Sequence, residues 1–297
     1  MKILSFGGGV QTITLAVMSA LGDFERPDIM VFADTGWEPK RTYEYIEWFK
    51  EWLNPYGIPL IVRSKGNIRA DALTGKRFAS MPVFTVREVK IPVYEKYIED
   101  EDGRLEGKGR IIDYKTKVEK GMLMRQCTNE YKVQVVQKAV REYMGVKKFQ
   151  RVKQPVEMWL GISCDEASRQ KSSRIKWIAN RYPLIELGYY REYKKDNPKT
   201  EKNCIDYLKS KGVPVPPKSA CIGCPFHDDT FWAKMMKESP EEFEDACQFD
   251  EAIRNSTKQG IRQPIFLHSS RTPLRNVKFK IKDINGFENE CEGHCGV

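Results

Sequence analysis

A chain of 297 residues, 40% hydrophobic and 31% charged, has the composition of a soluble globular protein and can bury one sizeable core with a smaller appendage. No apolar run approaches the roughly 20 residues that span a bilayer, and Met1-Lys2-Ile3-Leu4-Ser5 passes straight into glycines rather than into a signal peptide; both point to a cytoplasmic protein. The net charge of +9 is concentrated, because residues 104–153 hold 14 Lys/Arg against 5 Asp/Glu, whereas the remainder balances at 36 against 36. Such a stripe suits a nucleic acid or nucleotide target, and equally a solvated helix face or a pocket for one phosphorylated ligand.

Lys2 to Phe6 is a short apolar run entering Gly7-Gly8-Gly9, the pattern of a buried strand ending in a tight turn. Ile13, Ala16, Val17, Ala20 and Leu21 then recur at helical spacing up to Gly22. Asp28 to Asp34 reads as a second buried strand, closed by Thr35-Gly36. Pro39 opens a helix whose face carries Tyr43, Ile46, Phe49, Trp52 and Leu53. Pro59 to Arg63 is a third strand. This alternation predicts an α/β fold with a doubly wound parallel sheet. From about 65 to 120 the periodicity fades and charge rises, which predicts an inserted lid over the carboxyl ends of the strands, with Glu99 to Gly103 as an exposed turn.

The helical pattern returns from Thr128 to Tyr143 through Tyr131, Val135, Val136, Ala139 and Val140, and Val156 to Ser163 reads as another core strand. Beyond about Tyr182 the chain is richer in Pro and Cys. The expected organisation is a nucleotide-binding domain over 1–181 and a smaller cysteine-bearing portion with a mobile tail over 182–297.

A glycine triplet between strand and helix lets backbone amides approach a phosphate, and the helix N-terminus adds partial positive charge. Ser5, Gly7, Gly8, Gly9, Gln11 and Thr12 are therefore candidate phosphate-binding residues. The loop is neither a Walker loop nor a dinucleotide fingerprint. Asp34, with Thr35 and Gly36 at the end of the second strand, is a candidate catalytic carboxylate for Mg²⁺ or a ribose hydroxyl, and a turn-capping role fits it equally. Asp165, Glu166 and Arg169, just past the strand ending at Ser163, stand where nucleotide crevices form.

The eight cysteines avoid the first 126 residues, a placement that favours metal or redox use over a disulfide scaffold. Cys221-Ile222-Gly223-Cys224 is a CxxC that suits zinc, an iron–sulfur cluster or a redox pair, and with Cys127 and Cys204 it makes a four-thiolate set. Cys164 and Cys247 read as packing residues, and His227 and His268 as ordinary hydrogen-bonded histidines.

Taken together these segments resemble the adenine nucleotide α-hydrolase (PP-loop ATP pyrophosphatase) superfamily, in its phosphoadenosine phosphosulfate (PAPS) reductase-like branch. Ser5 to Thr12 is similar to the pyrophosphatase loop, and Phe32 to Glu38 to the branch's Asp-Thr-Gly segment. Gln126-Cys127-Thr128 with Tyr131-Lys132, Pro183-Leu184, and Ser219 to Cys224 follow its later segments in order. Gly7 replaces the first loop serine and Val10-Gln11 a common Lys-Asp pair, so the resemblance implies that Arg125, Lys132 or Arg169 supplies the missing charge.

The resemblance implies ATP or another adenine nucleotide, a [4Fe–4S] cluster with Cys204 as fourth ligand or with one open iron, and Mg²⁺. The tail Glu290-Cys291-Glu292-Gly293-His294-Cys295 resembles one that carries a catalytic cysteine, which nominates Cys291 and Cys295, while a second metal patch or a frayed end fits it too. Three functions follow. The first is an adenylating sulfurtransferase acting on a nucleic acid or nucleotide, served by a sulfur-donor protein. The second is a reductase releasing sulfite from adenylyl sulfates, recycled by a thioredoxin-like partner. The third is a non-catalytic nucleotide- and cluster-binding sensor. The oligomeric state is open, a homodimer included.

Overall fold

The computed structural model describes residues 1–74, 81–94, 98–99, 105–106, 110–255 and 261–281. Ten strands occur among them: β1 Lys2–Phe6, β2 Ile29–Asp34, β3 Leu60–Ser64, β4 Phe84–Tyr94, β5 Ile98–Glu99, β6 Leu105–Glu106, β7 Ile111–Met122, β8 Val156–Leu160, β9 Ile178–Arg181 and β10 Ile265–Phe266. The α-helices are α1 Val10–Leu21, α2 Lys40–Leu53, α3 Ile68–Leu73, α4 Gln134–Tyr143, α5 Pro183–Glu186, α6 Cys204–Ser210, α7 Asp229–Glu238 and α8 Pro240–Ile253. A π-helical turn, Thr128–Val133, leads into α4.

The central sheet is parallel throughout, in the order β3-β2-β1-β8-β9. Alternate side chains of its strands feed two different cores, because successive residues point to opposite faces. Leu4, Phe6, Met30, Phe32 and Trp159 pack with α1, α2 and α6, whereas Ile3, Ile29, Val31, Met158 and Leu160 pack with α4. Strands buried on both sides carry continuous apolar runs, which is why β1, β2 and β8 are readable from sequence. A third core gathers Trp37, Met81, Val83, Trp232, Phe243 and Phe249, with α7 and α8 beside the base of the β4–β7 hairpin.

The described residues of the expected insertion over 65–120 form α3 and a long antiparallel β4–β7 hairpin that pairs through β4 with β10, and most of the expected Glu99 to Gly103 turn lies outside the described residues. Ile91, Tyr94, Ile112, Tyr114 and Val118 of that hairpin are exposed, so the arm buries no apolar face of its own among the described residues.

Candidate active site

β1 lies between β2 and β8, and the chain leaves β1 towards one side and β8 towards the other. Their carboxyl ends therefore open a crevice at the reversal point of the sheet, where open α/β sheets bind ligands. The loop Gly7-Gly8-Gly9 leaves β1 there, with Gly8 at φ 75°. Gly9 caps α1 without any side-chain hydrogen bond, and the first turn has no acidic residue. The helical ladder begins with Ile13 N donating to the Gly9 carbonyl at 3.0 Å. The amides ahead of it have no intrahelical acceptor and suit an anion. Ser5, Gln11 and Thr12 are buried around this loop.

The β8 side of the crevice is a network. The Gln11 amide donates to Glu166 Oε2 at 3.0 Å and lies 3.5 Å from Ser163 Oγ. Arg169 Nη1 donates to Glu166 Oε1 at 2.6 Å. Ser163 Oγ donates to Asp165 Oδ1 at 2.7 Å, and the same oxygen accepts the Arg191 amide at 3.0 Å. Asp165, Glu166 and Arg169 thus stand beside Gln11, with the Arg169 charge already countered by Glu166.

On the β2 side, Asp34 Oδ1 accepts from the Gly36 amide at 2.7 Å and from the Tyr43 hydroxyl at 2.8 Å. This is the turn-capping role, and it positions the loop that follows. Burial, aided by the neighbouring Asp34 and Glu38 charges, holds the Tyr43 hydroxyl well above the usual phenol range, so it stays a donor. Thr35 Oγ1 donates to Glu38 Oε1 at 3.1 Å and touches Cys221 Sγ at 3.2 Å.

The CxxC turn is moored at several points. Ser219 Oγ donates to the Gly7 carbonyl at 2.6 Å, and the Ile222 amide donates to the Trp37 carbonyl at 2.8 Å. Cys224 N donates to the Cys221 carbonyl at 3.1 Å, and a His227 ring nitrogen lies 2.8 Å from that same carbonyl. His227 stacks on Phe231 with centroids 3.8 Å apart. Cys127, Cys221 and Cys224 consequently line one pocket with Thr35, Arg125 and Lys132. Ser219 ties this thiol pocket to the glycine loop two residues before its first cysteine.

The remaining thiols stand apart. Cys204, expected as a fourth ligand, is fully buried in the α1–α2–α6 core, and its carbonyl faces Thr14 Oγ1. Cys247 is buried beside Trp232 and Phe243, where burial pushes its thiol up to about 11. Cys164 is half-buried and its thiol is likewise raised by burial. Both are packing residues. Cys291 and Cys295 lie outside the described residues.

Among the described residues no group of three or more His, Cys, Asp or Glu side chains is placed to hold one metal ion. Cys127, Cys221 and Cys224 are the thiols that share one pocket among the described residues.

Two residues of the site were not legible in the sequence. His227 bears on the CxxC turn through a carbonyl, and only its position three residues after Cys224 hints at that. Arg191 reaches the crevice from the segment between α5 and α6, and no local pattern marks it.

No protein-family model matches the chain, and no curated protein matches it. Among solved structures it is similar to phosphoadenylyl-sulfate (PAPS) reductase from Candida auris in its phosphate complex. The identity is 12%, the TM-score is 0.35, and the match covers 72% of this chain and 74% of that one.

Proposed function

We propose that the chain is an adenine-nucleotide-dependent enzyme of sulfur chemistry, acting as a sulfurtransferase on a nucleotide or nucleic acid. The observation that carries this reading is the Ser219–Gly7 hydrogen bond, which joins an uncapped glycine loop to a pocket lined by three thiols. ATP phosphates rest on the first-turn amides of α1. An oxygen of the target attacks the α-phosphorus and pyrophosphate leaves, giving an adenylated target. The outer sulfur of a cysteine persulfide, loaded by a sulfur-donor protein, then attacks the activated carbon and AMP leaves. A second cysteine thiol cleaves the resulting enzyme–target disulfide to free the thiolated target, and a thioredoxin-like partner reduces the cysteine pair. Arg125 and Lys132 bring positive charge to the pocket, where an anionic target docks. A [4Fe–4S] cluster on Cys127, Cys221 and Cys224 would supply exchangeable sulfur when bound.

The exposed β4–β7 hairpin supports a polyanionic target. Lys90, Lys115, Lys117 and Arg110 project with Tyr94 and Tyr114, and basic and aromatic side chains on one arm suit a single-stranded nucleic acid.

The test is an anaerobic nucleotide screen on the full chain with RNA and DNA oligonucleotides as acceptors. The expected result is cleavage of ATP to AMP and pyrophosphate only when an acceptor is present, with sulfur appearing on that acceptor. Sulfite release from an adenylyl sulfate without ATP would establish a reductase instead. Failure to bind any adenine nucleotide would remove the reading altogether.

A further inference from the structure

The loop has no lysine, and the site's evident cations are committed elsewhere. Arg169 is paired with Glu166, while Arg125 and Lys132 line the thiol pocket. Arg191 is different. It is only 9% exposed, and its Nε is buried without a hydrogen-bond partner. Among the described residues its guanidinium makes no hydrogen bond or ion pair; only its backbone is engaged, through Asp165 Oδ1 and the Ile205 amide. Its Nε is closed off from water while the two terminal nitrogens keep a small accessible edge, so the charge has no protein counter-ion among the described residues and is open to an anionic ligand from outside.

Position identifies the ligand. The Arg191 amide binds Asp165 Oδ1, which also takes the Ser163 hydroxyl, and Ser163 faces Gln11 of the first turn of α1. The Arg191 backbone is therefore linked through Asp165 and Ser163 to Gln11, the second residue after the glycine loop, on the β8 side of the crevice. We infer that Arg191 is the cation that receives a phosphate of the bound nucleotide, in place of a loop lysine. This inference rests on the nucleotide reading above and adds an oxyanion subsite to it. The planar fork of arginine suits two phosphate oxygens at once.

The experiment measures binding of ATP, inorganic pyrophosphate and adenosine to the full chain by calorimetry, for the wild type, Arg191→Gln and Arg191→Lys. Melting temperatures without ligand are recorded alongside. The expected result is a loss of affinity of about 10- to 100-fold for ATP and pyrophosphate in Arg191→Gln, the range for charge-assisted hydrogen bonds. Adenosine affinity and the unliganded melting temperature stay at the wild-type level or above, and Arg191→Lys recovers part of the loss. Wild-type affinity for ATP and pyrophosphate in Arg191→Gln would overturn the Arg191 assignment and leave the nucleotide site standing. A lowered melting temperature with equal loss of adenosine binding, not recovered by Arg191→Lys, would make Arg191 structural and also overturn it. A wild type that binds none of the three would instead remove the nucleotide reading on which the inference rests.

Discussion

Gly161 and Thr12 meet across the crevice so closely that a β-carbon on Gly161 would stand 2.5 Å from Thr12 Cγ2 and 3.1 Å from the Thr12 amide nitrogen. The end of β8 thus presses bare backbone against the first turn of α1. Any side chain at 161 pushes the two walls apart. Gly161→Ala is expected to cost about 1–3 kcal/mol of stability, as overpacking of a tight contact does. Because the displaced residue belongs to the first turn of α1, ATP binding is expected to weaken about tenfold, or ~1.4 kcal/mol. Thermal unfolding and calorimetry check both, and an unchanged ATP affinity would mean that the loop holds its shape without β8.

The CxxC turn has a comparable seat. A β-carbon on Gly223 would fall 2.1 Å from Trp37 Cη2. That ring cannot easily swing away, since its Nε1 donates to Asp245 Oδ2 at 2.6 Å and its edge meets Phe249 at 4.7 Å. Gly223→Ala is expected to lift the turn from the Asp34–Glu38 loop, at a cost of about 1–3 kcal/mol. Cys221 and Cys224 should then be alkylated faster than in the wild type. Combining Gly223→Ala with Trp37→Leu should recover part of the loss, because residues in contact are not additive; strict additivity of the two changes would show that the ring is not what Gly223 accommodates.

Arg181, at the end of β9, holds three carboxylates: Glu25 at 3.0 Å, Glu157 at 3.1 Å and Glu186 at 2.9 Å. The Lys2 ammonium first and Arg181 second hold Glu25 below its ordinary value of 4.5. Burial pushes Glu157 up, but the Trp159 indole and Arg181 outweigh it and the net shift is downward. Depressed carboxylates stabilise the fold above their unfolded-state value and lose that contribution as pH falls through the folded-state value. Arg181→Met is therefore expected to lose about 0.5–1 kcal/mol at pH 7, since solvent screens these partly exposed pairs. Its difference from the wild type should shrink as pH drops below 4.5. Denaturant titrations from pH 7 to pH 3 measure this, and a constant difference across the range would place the effect of Arg181 in its packing on Phe24 and Trp159.

Sequence showed the parallel core because its strands are buried on both faces and its helices on one, so apolar spacing alone marks β1, α1, β2, β3, α4 and β8. The hairpin was hidden for the converse reason. Both its strands are largely exposed, so no alternation of apolar and polar residues betrays them, and the charged residues of β7 read only as part of an inserted lid. For the thiols, the sequence groups Cys127 and Cys204 with the CxxC, and the structure places Cys127 at the CxxC pocket and Cys204 in the α1–α2–α6 core. A buried cysteine and a ligand cysteine look the same in one dimension. Arg191 was missed because its significance is what it lacks, a partner, and that is a property of three-dimensional surroundings.

The crevice is stitched together by contacts between distant parts of the chain. Gln11 meets Glu166 across 155 residues, Thr35 meets Cys221 across 186, and Gly7 meets Ser219 across 212. Contacts of such separation form late and make folding slow, since loop-closure entropy is spent before they are rewarded. The glycine loop can be made and its helix wound long before the walls that complete it exist. During synthesis the first third of the protein therefore carries the glycine loop with no opposite wall. A ligand that bound only the finished crevice would draw the last docking step to completion by mass action.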